Sequence, residues 1–411
     1  MVVALQETPT QTGFGKVIVN YGSLHEKKGE EGLAHLLEHC LMKGGSKKYS
    51  PEEADKTFSK FGYSNAGTSL NETIFEADMF PEDLEYFLNL TSDILFSPRL
   101  DYERTMQEKY RVLREIADCK SNPVFNDFKL FKSAFYGENS PHNYNILGLE
   151  EVIRIVDIAD LRNFHNRGYN ANNMSLILVG ALPKNIEKLI EESFGDKPSG
   201  ENTKYIFSRN QKLEGRKFFH TYAPDLYNHE RPLDSSLDFD LRFTAPITSD
   251  EDSSSADVLS FIIGGDANSK LYREISQRKG LAYHIESDYN GRNNNGCINI
   301  CGRTSSQKSE ETINIVFDEM NKLKTELVSN EELSRLKKLL RYSIAKAFET
   351  NEGHVYAIKT KWDENITPEI VLMQYDSISP EQIREAAIKY LPSSMENGNY
   401  VLLLRDSLKK E

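Results

Sequence analysis

The octapeptide from Gly32 to His39, Gly-Leu-Ala-His-Leu-Leu-Glu-His, is the segment on which the interpretation of the whole chain depends. In a helix, His35 and His39 lie about one turn apart on the same face, and Glu38 leans toward the same point. Two neutral imidazoles and a third ligand make an open zinc site that keeps one position for water. A carboxylate beside that water can take its proton, so we predict that Glu38 is a general base.

The order of these residues, His-x-x-Glu-His, is the inverted zinc-peptidase signature. A short motif is a hypothesis until its structural context fits, and the alternative is an amphipathic helix whose histidines are ordinary core or surface residues. The neighbouring Cys40 points about 100° away from His39 around such a helix, so we expect a buried small residue there rather than a ligand. The site therefore still needs a third ligand.

A second predicted helix, over residues 101–120, offers carboxylates at a suitable spacing. Glu108 and Glu115 are two helical turns apart and share one face. We predict that Glu115 is the third ligand and that Glu108 holds a ligand in place by hydrogen bonding. For either glutamate taken alone, the alternative is a solvated helix face.

Composition limits the class of protein. A chain of 411 residues with 38% hydrophobic residues is long enough for two or more domains. The net charge of −13 argues against binding to nucleic acid or to an anionic membrane surface. Four cysteines without a Cys-x-x-Cys pair favour a reducing compartment. The sequence has no apolar run of membrane length and its N-terminus does not resemble a signal peptide, so we expect a cytoplasmic protein that does not enter the membrane.

The two halves of the sequence repeat one pattern. Helix, turn and strand follow one another over residues 158–180, and the same order recurs over residues 378–404. A predicted helix at 253–264 takes the place of the histidine motif but contains no histidine. We predict an α+β fold with two duplicated α/β-sandwich-type domains, each a mostly antiparallel sheet with packed helices. The N-terminal domain, residues 1–205, holds the metal, and the C-terminal domain, residues 206–411, is metal-free.

Local patterns give further expectations for single elements. Ser50, Pro51 and Glu53 predict the capped start of a helix. Residues 122–145 are expected to be loop with a short helix, and residues 150–167 one helix. A stretch rich in Gly, Lys, Ser and Asn, from about 195 to 215, is interpreted as a linker. Apolar or alternating runs predict strands at 16–21, 65–80 (one or two), 174–180, 237–245, 281–287, 297–302 and 399–404.

Together these residues resemble the pitrilysin family of zinc metallopeptidases, and within it the branch similar to mitochondrial processing peptidases. Glu115 follows His39 by 76 positions, which fits the family's ligand spacing. The resemblance covers nearly the whole chain. Its other landmarks are Gly32 to His35, Gly44, Asn65-Ala66-x-Thr68 with Thr73, the Glu108 and Glu115 pair, Pro141 to Gly148, Asn170 to Gly180, Gly264-Gly265, and Gly280 to Tyr283.

The resemblance implies one Zn²⁺ per chain, bound by His35, His39 and Glu115, with Glu38 as general base. It also implies that Asn65 and Ala66 lie by an edge strand that receives substrate as an added β-strand. In that mode, main-chain hydrogen bonds give affinity with little demand on sequence.

The metal-free half and a second chain are also part of what the resemblance implies. Tyr283 would steady the oxyanion or the substrate carbonyl. In the family, two such two-domain units face each other around a chamber, like the halves of a clamshell. This chain supplies one unit, so we expect it to form a homodimer or to pair with a related subunit.

The expected function is that of a zinc endopeptidase acting on peptides or unfolded segments. One departure from the family is Ser276, which stands where an arginine usually precedes Tyr283 by seven residues; Arg273 and Arg278 lie nearby. Two alternatives stay open. One is a non-catalytic partner or scaffold on the same fold, and the other is a metal-dependent hydrolase of a small non-peptide substrate.

Overall fold

The computed structural model describes residues 1–203, 205, 213–222 and 236–406. The strands of this part of the chain are β1 Val2–Glu7, β2 Gly13–Val19, β3 Tyr63–Thr68, β4 Thr73–Met79, β5 Met174–Gly180, β6 Arg216–Tyr222, β7 Ser236–Thr244, β8 Ala282–Asn290, β9 Cys297–Ser305 and β10 Tyr400–Asp406. The helices are α1 Leu33–Gly44, α2 Pro51–Phe58, α3 Leu84–Phe96, α4 Tyr102–Ser121, α5 Pro123–Tyr136, α6 Glu150–Ile155, α7 Ile158–Gly168, α8 Ile186–Phe194, α9 Ser253–Gly264, the π-helix Tyr272–Arg278, α10 Ser309–Thr325, α11 Asn330–Ala347, α12 Asn351–Glu364, α13 Pro368–Ser377 and α14 Pro380–Tyr390.

The strands form two five-stranded sheets with the same topology. The first sheet has the order β1-β5-β2-β4-β3 and the second the order β6-β10-β7-β9-β8, so each strand of the second sheet takes the place of the strand five earlier. In each sheet one outer pair is parallel, β1 with β5 and β6 with β10, and the other neighbours are antiparallel. The predicted α+β class with duplicated, mostly antiparallel sheets is therefore confirmed.

The chain divides into two compact units, and neither is continuous in sequence. The first comprises Met1–Ser121, Tyr144–Ile206 and Ala345–Asp363, and the second comprises Asn122–Asn143, Phe207–Ile344 and Glu364–Glu411. The predicted linker falls partly on residues outside the described ranges. The boundary predicted between residues 205 and 206 stays a prediction.

In the first unit, both faces of the sheet are covered. One face packs against α1, α3 and α7 in a core that includes Leu36, Phe87 and Phe164. On the opposite face, Ile18 and other apolar residues of β2 and β5 pack with α12. This explains why β2 and β5 are apolar at nearly every position, since a strand buried on both faces has no solvent side.

The second unit repeats this arrangement with other residues. One face of its sheet packs against α9, α10 and α14 in a core that includes Phe239, Ile262 and Val316. On the opposite face, Phe131 and Phe135 of α5 pack with Val401 and Leu403 of β10.

Two local expectations were wrong. Residues 123–136 form the helix α5 rather than mostly loop, because its aromatic side chains are buried on the second sheet. Residues 150–167 form two helices rather than one, because Asp157 starts α7 with a capping box to Asp160. The capped start of α2 at Ser50 is confirmed, as are two strands in the segment 65–80.

None of the helices in the described ranges has the length and apolar character needed to span a membrane. The four cysteines form no disulfide. Cys40 is buried, as predicted, and burial raises the pKa of its thiol to about 12.

Candidate metal centre

Helix α1 carries the histidine motif on a face held by the core behind it. Leu33, Leu36, Leu37 and Leu41 are completely buried, so the rotation of the helix is fixed and the two histidines point to the other side. The helix begins after Gly32, whose φ of 104° lies in the left-handed region. A Cβ at this position would also come within 2.9 Å of the Gly148 backbone, so only glycine suits this start.

A buried carboxylate, that of Glu26, completes the start of α1. Its two oxygens accept hydrogen bonds from the backbone amides of Gly32 and Ala34 at 3.0 and 2.9 Å. The oxygens of this side chain therefore satisfy two N–H groups that have no partner within the helix. Burial raises the pKa of Glu26 to about 8, and the two amides act in the opposite direction.

We expect this carboxyl to make stability pH-dependent. Its pKa in the folded state, about 8, lies above the ordinary glutamate value of 4.5, so the folded protein keeps a proton that the unfolded chain releases. Stability from this group is present below about pH 4.5 and is lost as pH rises toward 8. In Glu26→Gln this loss should disappear. The difference in unfolding free energy between the wild type and the variant should therefore change with pH by a few kcal/mol, because one pKa unit corresponds to about 1.4 kcal/mol.

Urea unfolding of the wild type and Glu26→Gln at pH 5, 6.5 and 8, with equal metal content, tests this expectation. Glu52→Gln is the matched control, because Glu52 is an exposed glutamate of helix α2. Parallel pH profiles for the wild type and Glu26→Gln would contradict it.

Helix α4 brings Glu115 to the two histidines. The Nε2 atoms of His35 and His39 are 3.3 Å apart, and each lies 3.7 Å from an oxygen of Glu115. Each of these three side chains offers one ligand atom, and the three atoms lie within 4.8 Å of one another. Among the described residues, they form a group that is close enough to hold a metal ion. The structure therefore brings together three residues that span 80 positions of sequence.

The chemistry of this donor set fits zinc. Two nitrogens bound to a tetrahedral ion at 2.0–2.1 Å are about 3.3 Å apart, which is the separation found between His35 and His39. Burial, followed by the proximity of His39, lowers the pKa of His35 to about 4, so this imidazole is neutral. A cation between the two ring nitrogens and the carboxylate would accept their lone pairs and balance the negative charge.

Glu108 supports His39 from behind. It is fully buried, and its oxygen lies 3.5 Å from Nδ1 of His39. This contact places a proton on Nδ1 and leaves the Nε2 lone pair for the site. Burial lowers the pKa of His39, but Glu108 and the nearby carboxylates outweigh it and raise the pKa overall. Arg111 balances the charge of Glu108 with contacts of 3.0 and 3.1 Å.

Glu38 lies next to the three candidate ligands and is 8% exposed. Burial raises the pKa of this carboxyl, while His39 and Thr68 act against the shift. The Thr68 hydroxyl donates a hydrogen bond of 3.1 Å to Oε2 of Glu38. A carboxyl with a raised pKa that is held at one oxygen is suited to accept a proton from water.

The other residues predicted for substrate contact lie on sheet edges. Asn65 and Ala66 are in β3, which is the outer strand of the first sheet and pairs only with β4 among the described strands. Tyr283 belongs to β8, the outer strand of the second sheet, at a break in register between Ala282 and His284, and is 96% exposed. Ser276 lies on the π-helix, where the neighbouring Arg278 pairs with Glu274 at 2.9 Å.

Sequence reasoning gave no role to several residues of the site. Glu26 carries no local signal, because its partners are the backbone amides of Gly32 and Ala34, six and eight residues further along the chain. The sequence indicates Thr68 only as part of a family landmark, since its contact with Glu38 depends on how β3 packs against α1. Arg111 lies three residues after Glu108 on the same helix, and this (i, i+3) spacing predicts an ion pair between them.

Comparison with known proteins agrees with this geometry. Residues 2–144 match the family "Insulinase (Peptidase family M16)", and residues 156–340 match "Peptidase M16 inactive domain". An uncharacterized zinc protease of Rickettsia felis is 27% identical over 92% of this chain and 89% of its own length. The zinc protease YmxG of Bacillus subtilis, also uncharacterized, is 26% identical over 85% of this chain and 83% of its own length.

Two further comparisons concern the predicted branch and the fold. The beta subunit of the mitochondrial-processing peptidase of Blastocladiella emersonii is 30% identical over 49% of this chain and 43% of its own length. The crystal structure of a protease from Helicobacter pylori superimposes with a TM-score of 0.82, at 19% identity, over 98% of this chain and 96% of that one. With both family models matched in order and the histidine motif and Glu115 in place, the chain belongs to the M16 (insulinase and pitrilysin) family of zinc proteases.

Proposed function

We propose that this chain is a zinc-dependent endopeptidase that hydrolyses peptides or unfolded segments. The observation that carries the proposal is the convergence of His35, His39 and Glu115 beside the buried carboxyl of Glu38. In the proposed domain division, residues 1–205 form the catalytic domain, and residues 206–411 form a metal-free domain that completes the substrate chamber.

Each group of the site has a distinct role in the proposed reaction. His35, His39 and Glu115 would hold one Zn²⁺, which supplies polarisation of the scissile carbonyl and acidification of a nearby water. Glu38 takes a proton from the attacking water and later passes it to the leaving amine. Glu108 keeps His39 in the tautomer that directs Nε2 to the site.

Substrate binding is proposed to use the outer edge of β3, which pairs with no other strand of the described ranges. A peptide that pairs with this strand at Asn65 and Ala66 would be held by main-chain hydrogen bonds, which explains a preference for extended or unfolded segments. Tyr283 is proposed to steady the oxyanion. Its place in a β-bulge and its exposure support this role, since bulges redirect side chains near active sites.

We propose that two such chains, or this chain and a related subunit, pair around the chamber. Light scattering of the purified chain tests the pairing. A monomer that retains full peptidase activity would argue against it.

The central experiment measures zinc by elemental analysis together with cleavage of an internally quenched, unstructured peptide. We expect about one zinc per chain, loss of cleavage on chelation, and recovery when zinc is added back. Zinc-loaded protein that cleaves no member of a peptide library would favour the non-catalytic partner. Cleavage of small esters without cleavage of peptides would favour the other alternative, a hydrolase of small substrates.

A further inference from the structure

We propose that Thr68 is the positioning residue of the general base, so that the strand that receives substrate also orients Glu38. The proposal rests on the proposed function and deepens it. Its starting observation is the 3.1 Å hydrogen bond from the Thr68 hydroxyl to Oε2 of Glu38, between the last residue of β3 and the middle of α1.

Strand geometry explains why Thr68, and not a neighbour, makes this contact. Side chains alternate between the two faces of a strand, so Ala66 and Thr68 share a face while Asn65 and Gly67 share the other. Ala66 packs against the core that contains α1, which identifies its face as the one directed to the helix. Thr68 is two residues further along the same face, about 7 Å from Ala66, and brings its hydroxyl over Glu38.

The backbone on either side of Thr68 is fixed by hydrogen bonds. Thr68 pairs with Thr73 across the hairpin, and the Thr73 hydroxyl donates to the carbonyl of Tyr21 at 2.9 Å. The turn after Thr68 is closed by the Ser69 amide, which donates to the Glu72 carbonyl at 2.8 Å. The Leu24 amide in turn donates to the Leu70 carbonyl at 2.8 Å. The hydroxyl of Thr68 is therefore presented from a backbone with little freedom to move.

The chemical consequence concerns the two oxygens of Glu38. A glutamate side chain has several rotamers, and ordering it costs conformational entropy. The Thr68 hydroxyl engages Oε2, which selects one orientation of the carboxyl before substrate arrives. Because Asn65 and Ala66 are the proposed contacts of the peptide, one rigid strand sets the position of both the peptide and the base.

Two substitutions separate the hydroxyl from the shape of the side chain. Thr68→Val keeps the branched shape and the backbone amide but removes the hydroxyl, and Thr68→Ser keeps the hydroxyl. We expect Thr68→Val to lower kcat about 10- to 100-fold, the range typical of residues that orient a site from outside, with KM and zinc content unchanged. Thr68→Ser should stay within about threefold of the wild type. Thr57→Val is the matched control, because the Thr57 hydroxyl donates to the Glu53 carbonyl on the exposed helix α2.

A binding measurement gives a readout besides activity. A phosphinic peptide mimics the tetrahedral state, and one of its oxygens faces the base. Its inhibition constant should rise in Thr68→Val by the same factor as kcat/KM falls, whereas the affinity of a plain product peptide should not change. In a Glu38→Gln background, Thr68→Val should have less than a twofold further effect on the residual rate, because there is no longer a base to position.

Three results would overturn the proposal. They are unchanged kcat and inhibitor affinity in Thr68→Val, failure of Thr68→Ser to restore the rate, and a loss of rate that follows a loss of zinc. These results are distinct from failure of the proposed function, in which the wild type itself shows no zinc-dependent peptide cleavage.

Discussion

Glu38→Gln is expected to lower kcat for peptide hydrolysis by about 10²- to 10⁴-fold, the contribution typical of a general acid–base residue. Glutamine has the same shape as glutamate but accepts no proton at neutral pH. The substitution leaves His35, His39 and Glu115 in place, so zinc content should stay near one per chain. KM should change little, because the proposed peptide contacts are on β3 and not on α1.

The measurement combines steady-state cleavage of a quenched peptide with elemental analysis of the same sample. Glu52→Gln, an exposed glutamate of α2, is the matched control and should behave like the wild type. A zinc-loaded Glu38→Gln protein with wild-type activity would refute the role of Glu38. A variant that has lost both zinc and activity would show instead that Glu38 contributes to metal binding.

Glu115→Gln is expected to weaken zinc binding by more than 100-fold, beyond the roughly 10- to 100-fold typical of residues that only orient a ligand. The neutral amide removes the one negative charge in the candidate ligand set and offers a weaker donor oxygen. Activity should fall in parallel with bound zinc and should return in part at high zinc concentration. Glu108→Gln should weaken zinc binding by only about 10- to 100-fold, because Glu108 contacts His39 and not the metal position.

Zinc affinity for this series can be measured by competition with a chromophoric chelator. Glu103→Gln is the matched control, since Glu103 is exposed on the same helix. The expected order of affinity is wild type and Glu103→Gln, then Glu108→Gln, then Glu115→Gln. Equal affinities of Glu115→Gln and the wild type would show that the third ligand is another group, and the geometry of α4 would have to be reinterpreted.

Features with a short-range cause were predictable. The (i, i+4) spacing of His35 and His39 and the start of α2 at Ser50 depend on residues within one or two helical turns. The duplicated fold was also predictable, because both halves carry the same order of apolar strands and amphipathic helices. The helix at 123–136 could not be predicted from neighbouring residues, since its aromatic side chains are buried by packing on the second sheet.

The sequence alone determined the histidine motif, the carboxylate spacing on α4 and the two-fold repetition of the fold. These depend on the periods of helix and strand, which are properties of neighbouring residues. The tertiary structure decided that α4 places Glu115 within 3.7 Å of both imidazoles, that Glu26 closes the start of α1, and that Thr68 meets Glu38. Such contacts join residues far apart in the chain, and their distances are set by how helices pack on the sheet rather than by any local pattern.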